Sequence, residues 1–229
     1  MADDSSGARG RPALKLGVLI SGTGTNLQAI IDAIGRGELK AEIRLVISNR
    51  PDAPGLDRAR RHGIETATID HRGFSSREDF DRALVAALNE RGVELIVCAG
   101  FMRLLSHVML EAFPNRIMNI HPGLLPSFPG THAQHDAIER GVRVAGCTVF
   151  FLAPGVDDGP IIVQAAVPVL PGDGEERLAA RILEQEHRIY PQAIRWFQEG
   201  RLEIRADKVV VKGLQPGANA PPLTNPPVE

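Results

Sequence analysis

The chain has only two cysteines, Cys98 and Cys147, and neither belongs to a CxxC pair or stands at a Cys/His ligand spacing. Both lie in apolar, strand-like segments, so buried thiols in a reducing compartment are expected rather than a disulfide or a zinc site. Charge of one sign is also missing. The chain carries 26 Lys and Arg against 28 Asp and Glu, a formal net charge of −2. Nucleic-acid and membrane surfaces usually show a basic excess or basic clusters, so a small-molecule partner is favoured over either. No apolar run approaches the roughly 20 residues that span a bilayer. The N-terminal stretch MADDSSGARGRPALK lacks the apolar core of a signal peptide. These absences together predict a cytoplasmic protein. Internal repeats and a clear linker are absent too.

What is present is a regular alternation. Apolar runs of five to eight residues (LKLGVLI, EIRLVIS, IETATID, VELIVCAG, RIMNI) alternate with amphipathic stretches (LQAIIDAIGRG, GLDRARRHG, REDFDRALVAALNERG, LSHVMLEAF, AQHDAIERG). Strand–helix alternation predicts βαβ units with parallel strands and right-handed crossovers. Gly37, Gly63, Gly92 and Gly141 each close an amphipathic stretch where a left-handed C-cap is needed. After Gly141 the rhythm changes: VAGCTVFFLA and PIIVQAAVPVL, joined by APGVDDG, read as an antiparallel pair, and Glu175–Glu199 reads as one long helix closed by Gly200. The expected fold is α/β: a Rossmann-like, doubly wound, mostly parallel sheet with an appended antiparallel strand pair and a long C-terminal helix. One domain is expected over residues 15–205, between a disordered tail at 1–14 and a Pro/Gly-rich tail at 206–229. In such sheets ligands bind at the carboxyl ends of the strands.

Three stretches carry chemistry. In VLISGTGTNLQAII a strand runs through Ser21-Gly22-Thr23-Gly24-Thr25-Asn26 directly into a helix. Glycines permit the tight turn, and the amides at the helix start face an anion. Leu27 occupies the third-glycine position of G-x-G-x-x-G, and no acidic residue ends the second strand, so a mononucleotide-sized phosphate is preferred over a dinucleotide. A plain strand-to-helix turn capped by Thr25 is the simpler alternative. In RIMNIHPGLLPSFPGTHA, Asn119 and His121 stand two apart at the end of a strand, so they project to the same face where a ligand would lie. An amide donor beside an imidazole can hold an oxyanion; a turn-capping Asn and a loop His are the bland alternative. In Gly155-Val156-Asp157-Asp158-Gly159-Pro160, adjacent carboxylates usually mark a solvated turn. A carboxylate turned toward His121 would instead hold the imidazole charged. No three-ligand metal spacing emerges around His121, His132 and His135.

The ordered set SGTGTNLQAI, AGFMRLLS, NIHPGLLPSFPGTHA, DDGPIIVQAAVPV and QEHRIYPQAIRWF resembles the phosphoribosylglycinamide formyltransferases, a formyltetrahydrofolate-dependent family of purine biosynthesis, from Leu16 to Leu202. The resemblance implies transfer of a formyl group from 10-formyltetrahydrofolate, a cosubstrate, to the amine of 5-phosphoribosylglycinamide through a tetrahedral intermediate, with no metal. It implies a catalytic set of Asn119, His121 and Asp157, Asp157 being the carboxylate that raises the histidine pKa, with Asp158 as the neighbouring alternative. Gly24, Thr25 and Asn26 would receive the substrate phosphate, and Glu186 the glycinamide portion. Arg77, Met102, Arg103, Leu104 and Leu105, with Asn119, would line the folate site. The N-terminal half would bind the ribonucleotide, and the C-terminal half would bind folate and carry the chemistry. A monomer or homodimer is expected. A formyltetrahydrofolate hydrolase and a methionyl-tRNA formyltransferase are disfavoured by length, and a non-catalytic phosphate-binding module by the co-occurrence of all three stretches.

Overall fold

The structure, a computed structural model, describes residues 11–214 and Asn225. Seven strands form one sheet: β1 (Leu14–Ile20), β2 (Ala41–Ser48), β3 (Thr66–Thr68), β4 (Leu95–Cys98), β5 (Ile117–His121), β6 (Val144–Phe151) and β7 (Ile161–Pro168). Helices α1 (Thr25–Gly35), α2 (Pro54–Arg61), α3 (Arg77–Glu90), α4 (His107–Ala112), α5 (Ala133–Glu139) and α6 (Glu175–Gln198) cover it. The spatial order is β3-β2-β1-β4-β5-β6-β7. Strands β1 to β5 pair in parallel, whereas β6 pairs antiparallel with both β5 and β7. The expected antiparallel pair is therefore β6–β7, joined to the parallel sheet along β5.

The apolar runs become interior strands because both sheet faces are covered. Leu16, Val18, Leu19 and Ile20 of β1 are all fully buried, which is why the strand reads as a continuous apolar run rather than an alternation. Odd and even positions feed two cores. Leu16, Val18 and Ile20 join Leu27, Ile30, Ile182 and Tyr190 from α1 and α6. Leu19 and Ile96 join Phe80, Leu84 and Leu88 from α3. Across the first core, the buried Tyr190 hydroxyl donates toward the carbonyls of Cys98 at 2.9 Å and Met118 at 3.0 Å. That contact fastens α6 to the end of β4 and the start of β5, and the helix continues through Pro191.

The punctuation glycines behave as their positions require. Gly37, Gly63, Gly92 and Gly141 have φ of 72°, 68°, 61° and 64°, the left-handed conformation that costs a side-chain-bearing residue most. The C-terminal region departs from the sequence reading. Beyond α6 the chain forms a two-stranded ladder, β8 (Leu202–Arg205) with β9 (Lys208–Val211), so residues 206–211 are hairpin rather than tail. The reversal is made by Ala206 and Asp207, both at positive φ. The N-terminal tail lies outside the described residues up to Gly10, and Leu14 already belongs to β1.

The sheet reverses its winding between β1 and β4. From β1 the chain moves outward through β2 to β3, then returns to place β4 on the other side of β1. At such a switch point the loops leaving adjacent strands diverge and open a crevice at their carboxyl ends. The loops after β1, β4 and β5 all leave from this edge.

Candidate active site

Strand β5 supplies the centre of the site. Asn119 and His121, separated by the two-residue period of a strand, both line one cavity of about 230 Å³. His121 is buried, only 3% exposed. Its Nε2 lies 2.7 Å from the Phe128 carbonyl and donates to it. Its Nδ1 lies 3.3 Å from Asp157 Oδ2. Gly123 packs so closely that a Cβ there would come within 2.8 Å of His121 Nε2. The ring is therefore fixed from behind, with Nδ1 as the nitrogen on the carboxylate side of the cavity. An acceptor beside each ring nitrogen is the hydrogen-bonding pattern of an imidazolium.

Asp157 reaches the ring because its backbone adopts φ of 49° in a loop that also holds Gly155 and Gly159 at positive φ. The same Oδ2 accepts the Gly130 N–H at 2.7 Å, which ties the loop after β6 to the loop after β5. Asp158 points away, is exposed, and accepts the Gly159 N–H at 2.9 Å. Of the two adjacent carboxylates, only Asp157 faces His121.

The loop between β4 and α4 forms the opposite wall. Met102, Arg103, Leu104 and Leu105 all line the cavity, joined by Phe101, Leu152 and Val156. Met102, Leu104 and Val156 are 64%, 52% and 52% exposed, an unusual apolar exposure concentrated at the cavity mouth. Apolar walls with a few charged and polar groups among them suit a small organic ligand that combines an apolar body with polar groups. Arg77 does not join them: it is exposed on the first turn of α3 and outside the cavity lining.

The glycine loop after β1 is tight. Gly24 is the N-cap of α1 with φ of 70°, and Thr25 is the first helical residue rather than its cap. A Cβ on Gly24 would lie 2.9 Å from Gly55 Cα, because the loop packs against the start of α2, where the Gly55 N–H donates to the Gly22 carbonyl at 3.0 Å. Arg58 of α2 donates to the Thr23 carbonyl at 3.3 Å and to Gln28 at 2.9 Å, bringing a guanidinium beside the helix start. Asn26 is buried, and its Nδ2 donates to Glu186 Oε2 at 2.7 Å. Burial raises the Glu186 carboxyl above its ordinary value, opposed by the Asn26 hydrogen bond. Burial likewise lowers His187 next to it. The start of α1 and α6 thus meet through a buried amide–carboxyl pair.

Sequence reasoning missed the groups that hold the site from behind. The Phe128 carbonyl and the Gly130 amide are backbone atoms of a stretch already singled out for its prolines, but backbone polarity has no signature in residue type. Arg58, on the amphipathic stretch GLDRARRHG, offered only the pattern of a solvated helix face. His132 and His135 stay outside the site, both exposed, with His135 3.8 Å from Glu175. Cys98 and Cys147 are free and buried, and burial pushes both thiols up to about 12. Among the described residues no group of three or more His, Cys, Asp or Glu could hold a metal ion, and no helix is long and apolar enough to cross a membrane.

Comparison with known proteins places this geometry among relatives. Residues 14–194 match the family described as formyl transferase. The phosphoribosylglycinamide formyltransferase of Escherichia coli is 45% identical over 196 residues, covering 86% of this chain and 92% of that protein. The crystal structure of glycinamide ribonucleotide transformylase 1 from Symbiobacterium toebii superposes with a TM-score of 0.86 at 56% identity, over 87% of this chain and 94% of that one. The phosphoribosylglycinamide formyltransferase of Coxiella burnetii, solved in complex with CHES, gives a TM-score of 0.84 at 43% identity over 88% and 94% of the two chains.

Proposed function

The chain belongs to the formyl transferase family, and from that premise we propose that it transfers the formyl group of 10-formyltetrahydrofolate to the amine of 5-phosphoribosylglycinamide, a step of purine biosynthesis. The observation that carries this reading is His121, held with Nδ1 beside Asp157 and accompanied on the same strand face by Asn119, in a cavity with apolar walls.

The chemistry follows from what the groups can do. The uncharged substrate amine attacks the formyl carbon, and negative charge develops on the formyl oxygen in a tetrahedral intermediate. Asn119 Nδ2 and the protonated His121 Nδ1 are the donors for that oxygen. The excess proton on the attacking nitrogen must leave, and the departing folate nitrogen must gain one. Asp157 compensates the imidazolium and orients a water through which protons pass. The Phe128 carbonyl holds Nε2, so the ring keeps one orientation while Nδ1 works.

Gly24, Thr25 and Asn26 receive the phosphate at the start of α1, where free amides and the helix dipole favour an anion, and Glu186 receives the glycinamide portion. Met102, Arg103, Leu104 and Leu105, with Asn119, hold the folate. Arg77, outside the cavity, serves the outer part of the cosubstrate. The ribonucleotide contacts thus come from the start of α1 together with α6, the folate contacts from the loop after β4 with Asn119, and the chemistry from the tip of β5 and the loop after β6. The test is an absorbance assay of 10-formyltetrahydrofolate with and without the ribonucleotide. Deformylation only when the ribonucleotide is present is expected; equal deformylation without it would establish a hydrolase instead.

A further inference from the structure

The loop Gly100–Leu105 has no regular secondary structure, yet it carries four of the residues proposed to hold the folate. Irregular backbone of this kind stays in one conformation only where groups outside it satisfy its polar atoms. Two side chains do so here. At its start, Ser21, the last residue before the glycine loop, donates its N–H to the Gly100 carbonyl at 3.0 Å and accepts the Met102 N–H on Oγ at 2.8 Å. The Ser21 hydroxyl proton goes to Asn49 Oδ1 at 2.6 Å, and Asn49 Nδ2 lies 3.3 Å from His71 Nδ1. Ser21 and Asn49 are 5% and 3% exposed, so the bond between them is closed to solvent. At the loop's end, the fully buried Asp81 of α3 accepts the Ser106 N–H on Oδ2. Phe80, its neighbour, stacks on Phe101 with ring centroids 6.4 Å apart and planes 10° from parallel.

We propose that Ser21 and Asp81 are positioning residues that clamp the two ends of the Gly100–Leu105 loop and thereby set the affinity for the folate cosubstrate. The inference rests on the functional reading above, since it assigns the clamped wall to folate. It also makes Ser21 a joint between the two substrate subsites: its hydroxyl orders the folate wall, and its backbone leads straight into Gly22-Thr23-Gly24. Neither side chain lines the cavity, so neither acts on the reacting atoms.

Removing Asp81 leaves the buried Ser106 N–H without its acceptor, removing the Ser21 hydroxyl does the same to the part-buried Met102 N–H, and either frees the wall to move. Ser21→Ala and Asp81→Ala are each expected to raise KM for 10-formyltetrahydrofolate about tenfold, while kcat stays within about threefold of the parent. Asp81→Ala is expected to leave KM for the ribonucleotide unchanged, which general damage to the fold would not. Asp81→Asn keeps an acceptor oxygen for Ser106 and is expected to restore the parent KM. Should Asp81→Ala fail to fold, Ser21→Ala and Asp81→Asn still decide the matter. An unchanged folate KM in Ser21→Ala, or an Asp81→Asn variant whose folate KM rises as in the alanine variants, overturns the clamp while the functional reading stands. A parent protein that turns over no 10-formyltetrahydrofolate overturns both.

Discussion

His121 Nδ1 and Asp157 Oδ2 lie 3.3 Å apart although 36 positions separate the residues in the chain, and the same carboxylate oxygen is anchored by the Gly130 amide. The strand tip after β5 and the loop after β6 are thus joined at the atom that faces the imidazole. Asp158, adjacent in sequence, is exposed and bonds only its own turn. His121→Asn and Asp157→Asn are each expected to lower kcat by about two to four orders of magnitude with the fold retained, the range for losing a positioned acid–base group or oxyanion donor. Asp158→Asn is expected to keep kcat within a few-fold of the parent. Steady-state rates of the three purified variants, with circular dichroism to verify folding, check the set. A strong defect at Asp158 with none at Asp157 would reverse the assignment.

Gly24 has both a left-handed backbone and no room for a methyl group, with Gly55 Cα 2.9 Å from where Cβ would be. Gly24→Ala is expected to cost at least about 1–2 kcal/mol of stability from the φ value alone. Because the same backbone forms the proposed phosphate cradle, KM for the ribonucleotide should rise while KM for the folate does not. Chemical denaturation and paired KM measurements test both halves of the expectation.

Glu186 gives a pH dependence of defined sign. Burial is the larger influence and raises its carboxyl, with the Asn26 hydrogen bond partly offsetting it. A carboxyl with a raised native value retains its proton in the folded state where the unfolded chain has lost it. Its contribution is therefore fully present below the ordinary carboxylate range and declines as pH rises through the raised native value. Glu186→Gln, which stays neutral, should remove that decline, so its stability gains on the parent as pH rises from about 4 to 7. Urea titrations at several pH values would show it; parallel curves for parent and variant would contradict it.

The cysteines should be silent. With both thiols pushed up to about 12 by burial, only about one in ten thousand would be ionised at pH 8, and the thiolate is the reactive form. Native protein treated with iodoacetamide at pH 8 is expected to stay unlabelled by mass spectrometry, and denatured protein to take up two labels. Rapid labelling of the native state would contradict the burial of Cys98 and Cys147.

Much of the fold was legible because its signals are local. Parallel strands buried on both faces read as apolar runs, and left-handed C-caps read as glycines, at Gly37, Gly63, Gly92 and Gly141. The pairing of Asn119 with His121 needed only the two-residue period of a strand. The β8–β9 hairpin escaped because its turn is made by Ala206-Asp207, at φ of 45° and 61°, where glycine or asparagine would have announced positive φ. The residues alone did not separate Asp157 from Asp158, because the choice depends on a positive φ that either Asp could adopt, and only the family resemblance pointed to Asp157. Ser21 and Asp81 were invisible because their partners are backbone amides 81 and 25 positions away.

The most direct measurement follows the transferred atom itself. Protein incubated with 10-formyltetrahydrofolate labelled with carbon-13 in the formyl group, together with 5-phosphoribosylglycinamide, is observed by NMR as the cosubstrate is consumed. The label is expected to appear in a formamide carbon of the ribonucleotide, at the rate at which the folate loses it, and the His121→Asn variant is expected to abolish both signals together. Label accumulating as free formate would contradict direct transfer to the amine and with it the roles given to Asn119, His121 and Asp157.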